Sequence, residues 1–203
     1  MMLLSTPGYR LSNSAPRSSW RRRLPSGLMA RLHVQEWADD LLEVAPDDVE
    51  LAIGHSLGGV LLAMIVEHLW PRRAVYEDPA WHPGDTPFSS AQPAIRAMKD
   101  LDAAQLRSLS PRWSEASVQA ELDALATWDP DTTRLRYLET AYAPTYPVAP
   151  SLIVLAGPSM LLPPPLAQRY RSAGFETRTV ADTGHSVHVD DFEGLLTALD
   201  GWI

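Results

Sequence analysis

The sequence predicts an α/β fold, in which a mostly parallel β-sheet is flanked by helices. Short apolar segments alternate along the chain with longer segments whose apolar residues recur at helical spacing. The segments at 49–53 and 151–156 are continuous apolar runs, as expected of strands that are buried on both faces. Strands that alternate with helices form a parallel sheet with right-handed crossover connections.

The elements follow in order from about residue 33, where an amphipathic helix begins whose apolar face includes Trp37 and Leu41. The predicted strands span 49–53, 74–77, 151–156 and 177–181. The predicted helices span about 33–44, 60–70, 92–108, 114–127, 166–173 and 192–202. The two central helices belong to a proline-punctuated insert over 82–147.

The composition is that of a globular protein of one domain. The chain has 203 residues, of which 45% are hydrophobic and 21% are charged, and this length suits one substantial core. It contains no cysteine, which excludes disulfide scaffolds, thiolate metal sites and a cysteine nucleophile. The longest nearly apolar run, 57–66, is about half as long as a membrane helix, and no signal peptide is evident. We therefore expect a soluble, cytoplasmic protein without a membrane partner.

Charge is distributed unevenly along the chain. The formal net charge is −8, yet residues 1–35 contain six arginines and no acidic residue. The rest of the chain carries 11 basic against 25 acidic groups, and this acidic body argues against nucleic acid as a partner. Residues 1–31 show neither strand nor helix periodicity. We predict an irregular basic leader over 1–31 and a folded domain over 32–203.

The most informative motif is Gly54-x-Ser56-x-Gly58, between a predicted buried strand and an apolar helix. A serine presented for attack sits at a sharp strand-to-helix turn, and the flanking glycines remove Cβ atoms that would collide there. The turn also places the N–H of Leu57 beside a developing oxyanion. We predict Ser56 as a nucleophile and Leu57 as an oxyanion donor, the alternative being a glycine-rich turn without chemistry.

Among the six histidines, His185 is the candidate base. It follows the last predicted strand, in a loop at the carboxyl edge of the sheet, where ligands of α/β folds bind, and it comes after the serine in chain order. His55 lies inside the serine turn and is expected to pack or bond locally. His185 with His188, Asp190 and Asp191 could suggest a metal site, but further obvious ligands are missing. We predict no metal.

These features resemble the α/β-hydrolase family, over about residues 34–203. The segment 54–59, GHSLGG, is similar to the nucleophile elbow of that family, and Gly184-His185 is similar to its terminal histidine loop. The resemblance implies a serine hydrolase that requires neither cofactor nor metal. It also implies that the helical insert over 82–147 is a lid.

The resemblance leaves the acid of a catalytic triad open. The family usually carries it after the strand that here ends near Ala156, in a Gly-x-x-Asp pattern, but the segment 157–160 reads Gly-Pro-Ser-Met. A minority of the family carries it one strand earlier, where this chain has Glu77 and Asp78. Asp78 aligns best and Glu77 is the alternative. An Asp before proline also commonly just closes a turn.

The front of the chain departs from the family pattern. The family has strands before the serine turn, one of them with a His-Gly loop that donates a second oxyanion N–H, and residues 1–31 contain no His-Gly pair. Loss of one such donor costs about 10²–10³ in rate. Without these strands, the strand over 49–53 is expected to be an exposed, apolar edge. A wrong start or a shifted reading frame is one hypothesis for the leader.

The sequence thus predicts a serine hydrolase that acts on a small ester or related acyl substrate through an acyl-enzyme. Ser56 attacks the carbonyl, His185 transfers the proton, and Asp78 orients His185. One alternative is an N-terminally truncated, catalytically impaired hydrolase-like protein, and another is a cofactor-free haloperoxidase-type member of the family. The oligomeric state stays open.

Large apolar side chains of the insert, together with Trp81 just before it, permit two interpretations. They could line an acyl pocket under a lid, or they could form core. The residues in question are Trp81, Met98, Leu101, Leu106, Trp113 and Trp128.

Overall fold

A parallel β-sheet forms the centre of the molecule. The computed structural model describes residues 2–4, 34–81, 92–134 and 142–203. The strands of this part of the chain are β1 (Met2–Leu4), β2 (Leu51–His55), β3 (Arg73–Glu77), β4 (Ser151–Gly157) and β5 (Glu176–Ala181). They lie in the order β1-β2-β3-β4-β5, and each neighbouring pair is parallel. The predicted α/β class is confirmed, and the carboxyl ends of all these strands meet at one edge.

Helices cover both faces of the sheet. They are α1 (Val34–Val44), α2 (Leu57–Leu69), α3 (Gln92–Ala97), α4 (Ala103–Leu109), α5 (Glu115–Thr127), α6 (Pro164–Ser172), α7 (Val187–Asp190) and α8 (Phe192–Ala198). Strand β4 shows the two layers, because its side chains alternate between them. Ile153 and Leu155 pack in a core with α1, α2 and α6. Leu152 and Val154 pack in a second core with α7 and α8.

The expectation for the front of the chain is wrong at Met2–Leu4. These residues form β1 and pair in parallel with 52–54 of β2, so β2 has a neighbour on each side and is not an exposed edge. Three residues are too few to show a period-2 pattern, which is why the sequence did not reveal this strand. The remainder of the predicted leader, 5–31, lies outside the described residues.

The insert between β3 and β4 has a small core of its own. Within 92–134, Leu106, Val118 and Leu125 are buried against each other, and Trp113 and Trp128 pack on them. The single helix predicted near 92–108 is interrupted, because a reciprocal capping box between Asp102 and Gln105 starts α4 as a new helix. The rest of the predicted insert, at 82–91 and 135–141, lies outside the described residues.

No helix among the described residues combines the length and the apolar character that crossing a membrane requires.

Candidate active site

Ser56 occupies a strained turn between β2 and α2. Its backbone angles are φ 52° and ψ −118°, in a region that non-glycine residues rarely adopt. Three backbone hydrogen bonds hold this conformation. The N–H of Ser56 donates to the carbonyl of Glu77 at 3.1 Å, and the carbonyl of Ser56 accepts from the N–H groups of Gly59 and Ala80, both at 3.0 Å. Strain that is fixed in this way is typical of functional sites.

The glycines of the motif let the end of β2 approach the start of α2. A Cβ at Gly54 would lie 2.5 Å from the carbonyl oxygen of Gly58, and a Cβ at Gly59 would lie 2.6 Å from the Cβ of Pro79. Because the turn cannot open without breaking its hydrogen bonds, a side chain at either position would collide with the backbone or with a rigid ring.

His185 is hydrogen-bonded to one of the two candidate acids. Its Nδ1 lies 2.7 Å from Oδ2 of Asp78. The Asp78 side chain is 2% exposed, whereas the His185 side chain is 44% exposed. Asp78 directly follows β3 at φ 36°, and its N–H donates to the carbonyl of Val154 at 2.7 Å. Of the two candidate acids, Asp78 and Glu77, Asp78 is therefore the one that contacts His185.

The other carboxylate, Glu77, is paired with a different histidine. Oε1 of Glu77 accepts two hydrogen bonds from His188, one from the backbone N–H and one from Nδ1, both at 2.8 Å. Glu77 is buried. Burial opposes its ionisation, but the hydrogen bonds from His188 and the electrostatic influence of the His55 and His188 imidazoles outweigh this and lower the pKa of Glu77. From the sequence, His188 was considered only as a possible metal ligand, and its hydrogen bond with Glu77 was not predicted.

His55 is buried behind the His185 loop. Its Nε2 lies 3.0 Å from the backbone carbonyl of His185, so Nε2 carries the proton and donates it. Its Nδ1 is buried without a hydrogen-bond partner. Burial lowers the pKa of His55 from its ordinary 6.5 to about 4, which keeps the ring neutral. The expected local bonding is not what the structure shows, because the partner of Nε2 is 130 residues away along the chain.

Ser56 and His185 line one cavity, of about 610 Å³, with the insert. Leu57, the first residue of α2, lines it too, and an amide at the first helical position has no acceptor within the helix. Five of the six predicted pocket residues contribute to its wall: Met98, Leu101, Leu106, Trp113 and Trp128. Trp81 instead is core, 1% exposed, with its Nε1–H bonded to the carbonyl of Gly59 at 3.1 Å.

A model of the alpha/beta hydrolase family matches residues 3–198. The chain belongs to the alpha/beta hydrolase family. The match begins 31 residues earlier than the resemblance at 34–203 suggested, so it includes two of the three residues of β1. No curated protein matches the sequence.

Solved structures of hydrolases share the fold of this family member. An esterase from Exiguobacterium antarcticum is 14% identical with a TM-score of 0.64, and the match covers 84% of this chain and 73% of the esterase. A hydrolase from Oleispira antarctica is 18% identical with a TM-score of 0.62, and the match covers 84% of this chain and 71% of that hydrolase. E-2-(acetamidomethylene)succinate hydrolase is 21% identical with a TM-score of 0.62, and the match covers 85% of this chain and 74% of that enzyme. At these identities the likeness concerns the fold.

The position after β4, where the family usually carries its acid, forms a turn in this member. The hydroxyl of Ser159 accepts a hydrogen bond from the N–H of Leu162 at 2.9 Å, and Met160 is exposed. The strand-end carboxylate beside the histidine loop therefore comes from β3, one strand earlier.

A metal-ligating group exists, but not the one considered from the sequence. Atoms of His55, Glu77 and His188 lie within 4.8 Å of one another and could hold a cation. Asp190 and Asp191 have other partners, since Asp190 accepts from the N–H of Gly184 and Asp191 caps α8. Within the described chain no metal-ligating group includes these two carboxylates.

Proposed function

We propose that this protein is a serine hydrolase that cleaves an ester or related acyl compound, with an apolar acyl group, through an acyl-enzyme. The observation that carries the proposal is the 2.7 Å hydrogen bond between Asp78 and His185, in a cavity that Ser56 also lines. Nucleophilic catalysis by serine needs a base and a group that orients the base, and these three residues match those roles.

In the first half of the reaction, Ser56 Oγ attacks the carbonyl carbon and His185 Nε2 takes the hydroxyl proton. The buried carboxylate of Asp78 accepts the Nδ1–H, which keeps Nε2 free as the base and stabilises the imidazolium. The amide of Leu57 donates to the oxyanion. The C–O bond to the leaving group then breaks, and His185 returns the proton to the departing alcohol.

In the second half, a water molecule replaces the alcohol. His185 removes a proton from it while the oxygen attacks the acyl carbon, and the same proton returns to Ser56 as the ester bond breaks. The products are a carboxylic acid and the free enzyme. The exposed side of the His185 ring leaves room for this water, since 44% of that side chain is accessible.

The cavity wall favours an apolar acyl group. The insert contributes large hydrophobic side chains from α4 and α5 and the segments that flank them, among them Leu106, Trp113 and Trp128. Burial of a methylene group against such a wall stabilises a complex by about 0.8 kcal/mol. The insert acts as a lid in this proposal, because the cavity lies between it and the serine turn.

Fluorophosphonate labelling tests the proposal. Wild-type protein is treated beside Ser56→Ala, the labelled fraction is measured by intact mass, and hydrolysis of nitrophenyl esters is followed in parallel. We expect one label per chain in the wild type and none in the variant, with turnover only in the wild type. Labelling that persists in Ser56→Ala removes Ser56 as nucleophile. Labelling without turnover indicates instead a catalytically impaired hydrolase-like protein.

A further inference from the structure

Two adjacent carboxylates hold two histidines of one short segment, His185 in the loop before α7 and His188 in α7 itself. Asp78 contacts the imidazole of His185, and Glu77 contacts both the backbone and the imidazole of His188. The proposed reaction uses only the first pair. The second pair is more deeply enclosed, because the side chain of His188 is 26% exposed against 44% for His185.

The first anchor of this loop lies at its C-terminal end. Oε1 of Glu77 accepts from the N–H and from Nδ1 of His188, so one oxygen fixes both the backbone and the ring. The Glu77 side chain is 3% exposed, and charge-assisted hydrogen bonds in such surroundings are stronger than neutral ones in water.

The second anchor lies at the N-terminal end of the same four-residue segment. His55 Nε2 donates to the carbonyl of His185 at 3.0 Å. The rings of His55 and His185 also pack against each other, with their centroids 4.7 Å apart. This bond requires a proton on Nε2 of His55, and burial of the ring favours the neutral imidazole, in which Nδ1 carries none.

The two anchors have a common base in the sheet. His55 and Glu77 are register partners at the carboxyl ends of β2 and β3, and Ser56 and Asp78 follow them directly. The strands that place the nucleophile and the acid therefore also fix the backbone of the base, so all three groups are set relative to one rigid element.

From this arrangement we infer that His55, Glu77 and His188 form a clamp that positions His185 for catalysis. The inference rests on the proposed function of Ser56 and His185. The same three residues could hold a cation, but Oε1 of Glu77 and Nε2 of His55 are already engaged in the loop. Nδ1 of His55 has no hydrogen-bond partner in the described structure, and the clamp accounts for the hydrogen bonds that are present without a cation.

Two pairs of variants test the clamp. Glu77→Ala removes the acceptor for His188, and His55→Phe removes the donor to the carbonyl of His185. We expect each to lower kcat for a nitrophenyl ester by about 10²-fold, as small displacements of a catalytic group do, with KM unchanged. Glu77→Gln and His55→Gln keep an acceptor and a donor at the same places, and we expect activity close to that of the wild type. Glu193→Ala, which removes an exposed acid on α8, is the control for a surface carboxylate.

Two readouts separate positioning from a general structural role. Titration with a fluorophosphonate counts competent sites, and kcat is expressed per labelled site. Imidazole ¹⁵N NMR follows the Nδ1 proton of His185, which we expect to exchange faster with water in Glu77→Ala and His55→Phe. The NMR measurement needs no turnover, so it tests the clamp even if the wild type proves to be inactive.

The clamp is contradicted if Glu77→Ala and His55→Phe fold and retain the wild-type kcat per labelled site. It is also contradicted if exchange of the His185 Nδ1 proton is unchanged in both variants, or if the Gln variants lose as much activity as their disruptive counterparts. Should Glu77→Ala fail to fold, His55→Phe decides alone, because it removes one hydrogen bond and no charge.

Discussion

At the scale of the residue, the neighbouring carboxylates of Glu77 and Asp78 point in different directions and contact different histidines. Glu77 is the last residue of β3, and its side chain reaches His188. Asp78 is in the left-handed region, at φ 36°, and this change of backbone direction sends its carboxylate to His185 instead. The end of β3 therefore supplies the hydrogen-bond partners of both His185 and His188.

Asp78→Asn tests the role of the orienting acid. The amide can present an N–H to Nδ1 of His185 and so favour the wrong tautomer of the ring, which lowers kcat by about 10⁴ in serine hydrolases of this design. We expect a loss of that order in ester hydrolysis, with fluorophosphonate labelling slowed in parallel. Asp200→Asn, at an exposed position after α8, is the matched control. A loss of less than tenfold in Asp78→Asn would contradict the assigned role.

His55 predicts a pH dependence of stability. Its folded-state pKa is about 4 against an ordinary 6.5, so the unfolded chain binds more protons than the folded one between these values. Stability is therefore full above about pH 6.5 and decreases as the pH falls to 4, by about 3 kcal/mol. The depressed pKa of Glu77 acts in the same direction below its ordinary 4.5, since its contribution is lost as pH falls through the folded value.

Urea unfolding at pH 7.5, 5.5 and 4 measures this dependence. We expect His55→Phe to lose less free energy of unfolding than the wild type between pH 7.5 and 4, because its position no longer titrates. His68→Phe, at an exposed position on α2, serves as the control and should follow the wild type. Parallel curves for the wild type and His55→Phe would show that His55 is not held neutral by burial.

Some features of these site residues could be predicted from the sequence, and others could not. The strained turn at Ser56 could be predicted from its flanking glycines, and the position of His185 at the carboxyl edge of the sheet could be predicted from the order of the strands. Asp78 was preferred to Glu77 only because it aligns best with the family's strand-end residue, since the rotation between the two side chains depends on a backbone angle that carries no sequence signal. The contact between His188 and Glu77 could not be predicted from the sequence for the same reason.

At the scale of the element, the junction of β2 with α2 is the tightest part of the fold. The strand end, the serine turn and the first turn of the helix contact each other through glycines, and the carbonyl of Gly58 faces the Cα of Gly54 at a distance that excludes a side chain. Helix α2 is buried along most of its length, so it cannot shift to make room.

Gly54→Ala tests this packing. The added Cβ would lie 2.5 Å from a backbone oxygen, so we expect destabilisation by about 1–3 kcal/mol, as for other overpacked sites, and loss of labelling at Ser56. Gly201→Ala is the control for added volume, because nothing lies within 4 Å of its Cβ position; its φ of 78° adds backbone strain, but far from Ser56 in the sequence, and it should retain labelling. Retention of labelling in Gly54→Ala would show that the turn tolerates expansion.

The elements themselves could be predicted in most places from apolar periodicity. The long buried segments at β4 and α2 are unambiguous because burial on all sides demands continuous apolar residues. The observed boundaries differ from the predicted ones where tertiary contacts determine the end of an element. Strand β2 runs to His55 rather than to residue 53, since pairing with Arg73–Glu77 sets its length. Strand β1 was missed because its pairing with β2, rather than its own pattern, makes it a strand.

At the scale of the whole molecule, the sheet and the insert have separate cores with a cavity between them. The sheet contributes Ser56 and His185 to that cavity, and the insert contributes most of the apolar wall. In the proposed function, the insert would therefore determine substrate preference and the sheet would carry the reacting groups. The sequence could not assign Trp81 and Trp113 to core and cavity respectively, because both are large apolar residues near the same boundary.

A series of nitrophenyl esters from acetate to octanoate tests the role of the cavity. We expect kcat/KM to rise by about fourfold per methylene over the shorter acyl chains, the factor that corresponds to about 0.8 kcal/mol, and then to level off. Trp113→Ala should flatten this rise, whereas Trp70→Ala, which removes a tryptophan that is 72% exposed, should leave it unchanged. A preference for acetate in the wild type would contradict an acyl site under the insert.

The central claim is that Ser56 forms a covalent acyl-enzyme, and trapping of that species tests it most directly. The protein is mixed with nitrophenyl hexanoate, quenched in acid within milliseconds to seconds, digested and mapped by mass spectrometry. We predict a hexanoyl group on Ser56 in the wild type, and none in His185→Ala, which lacks the base. A hexanoyl group on another residue, or ester turnover with no acylated peptide at any time point, would contradict the account.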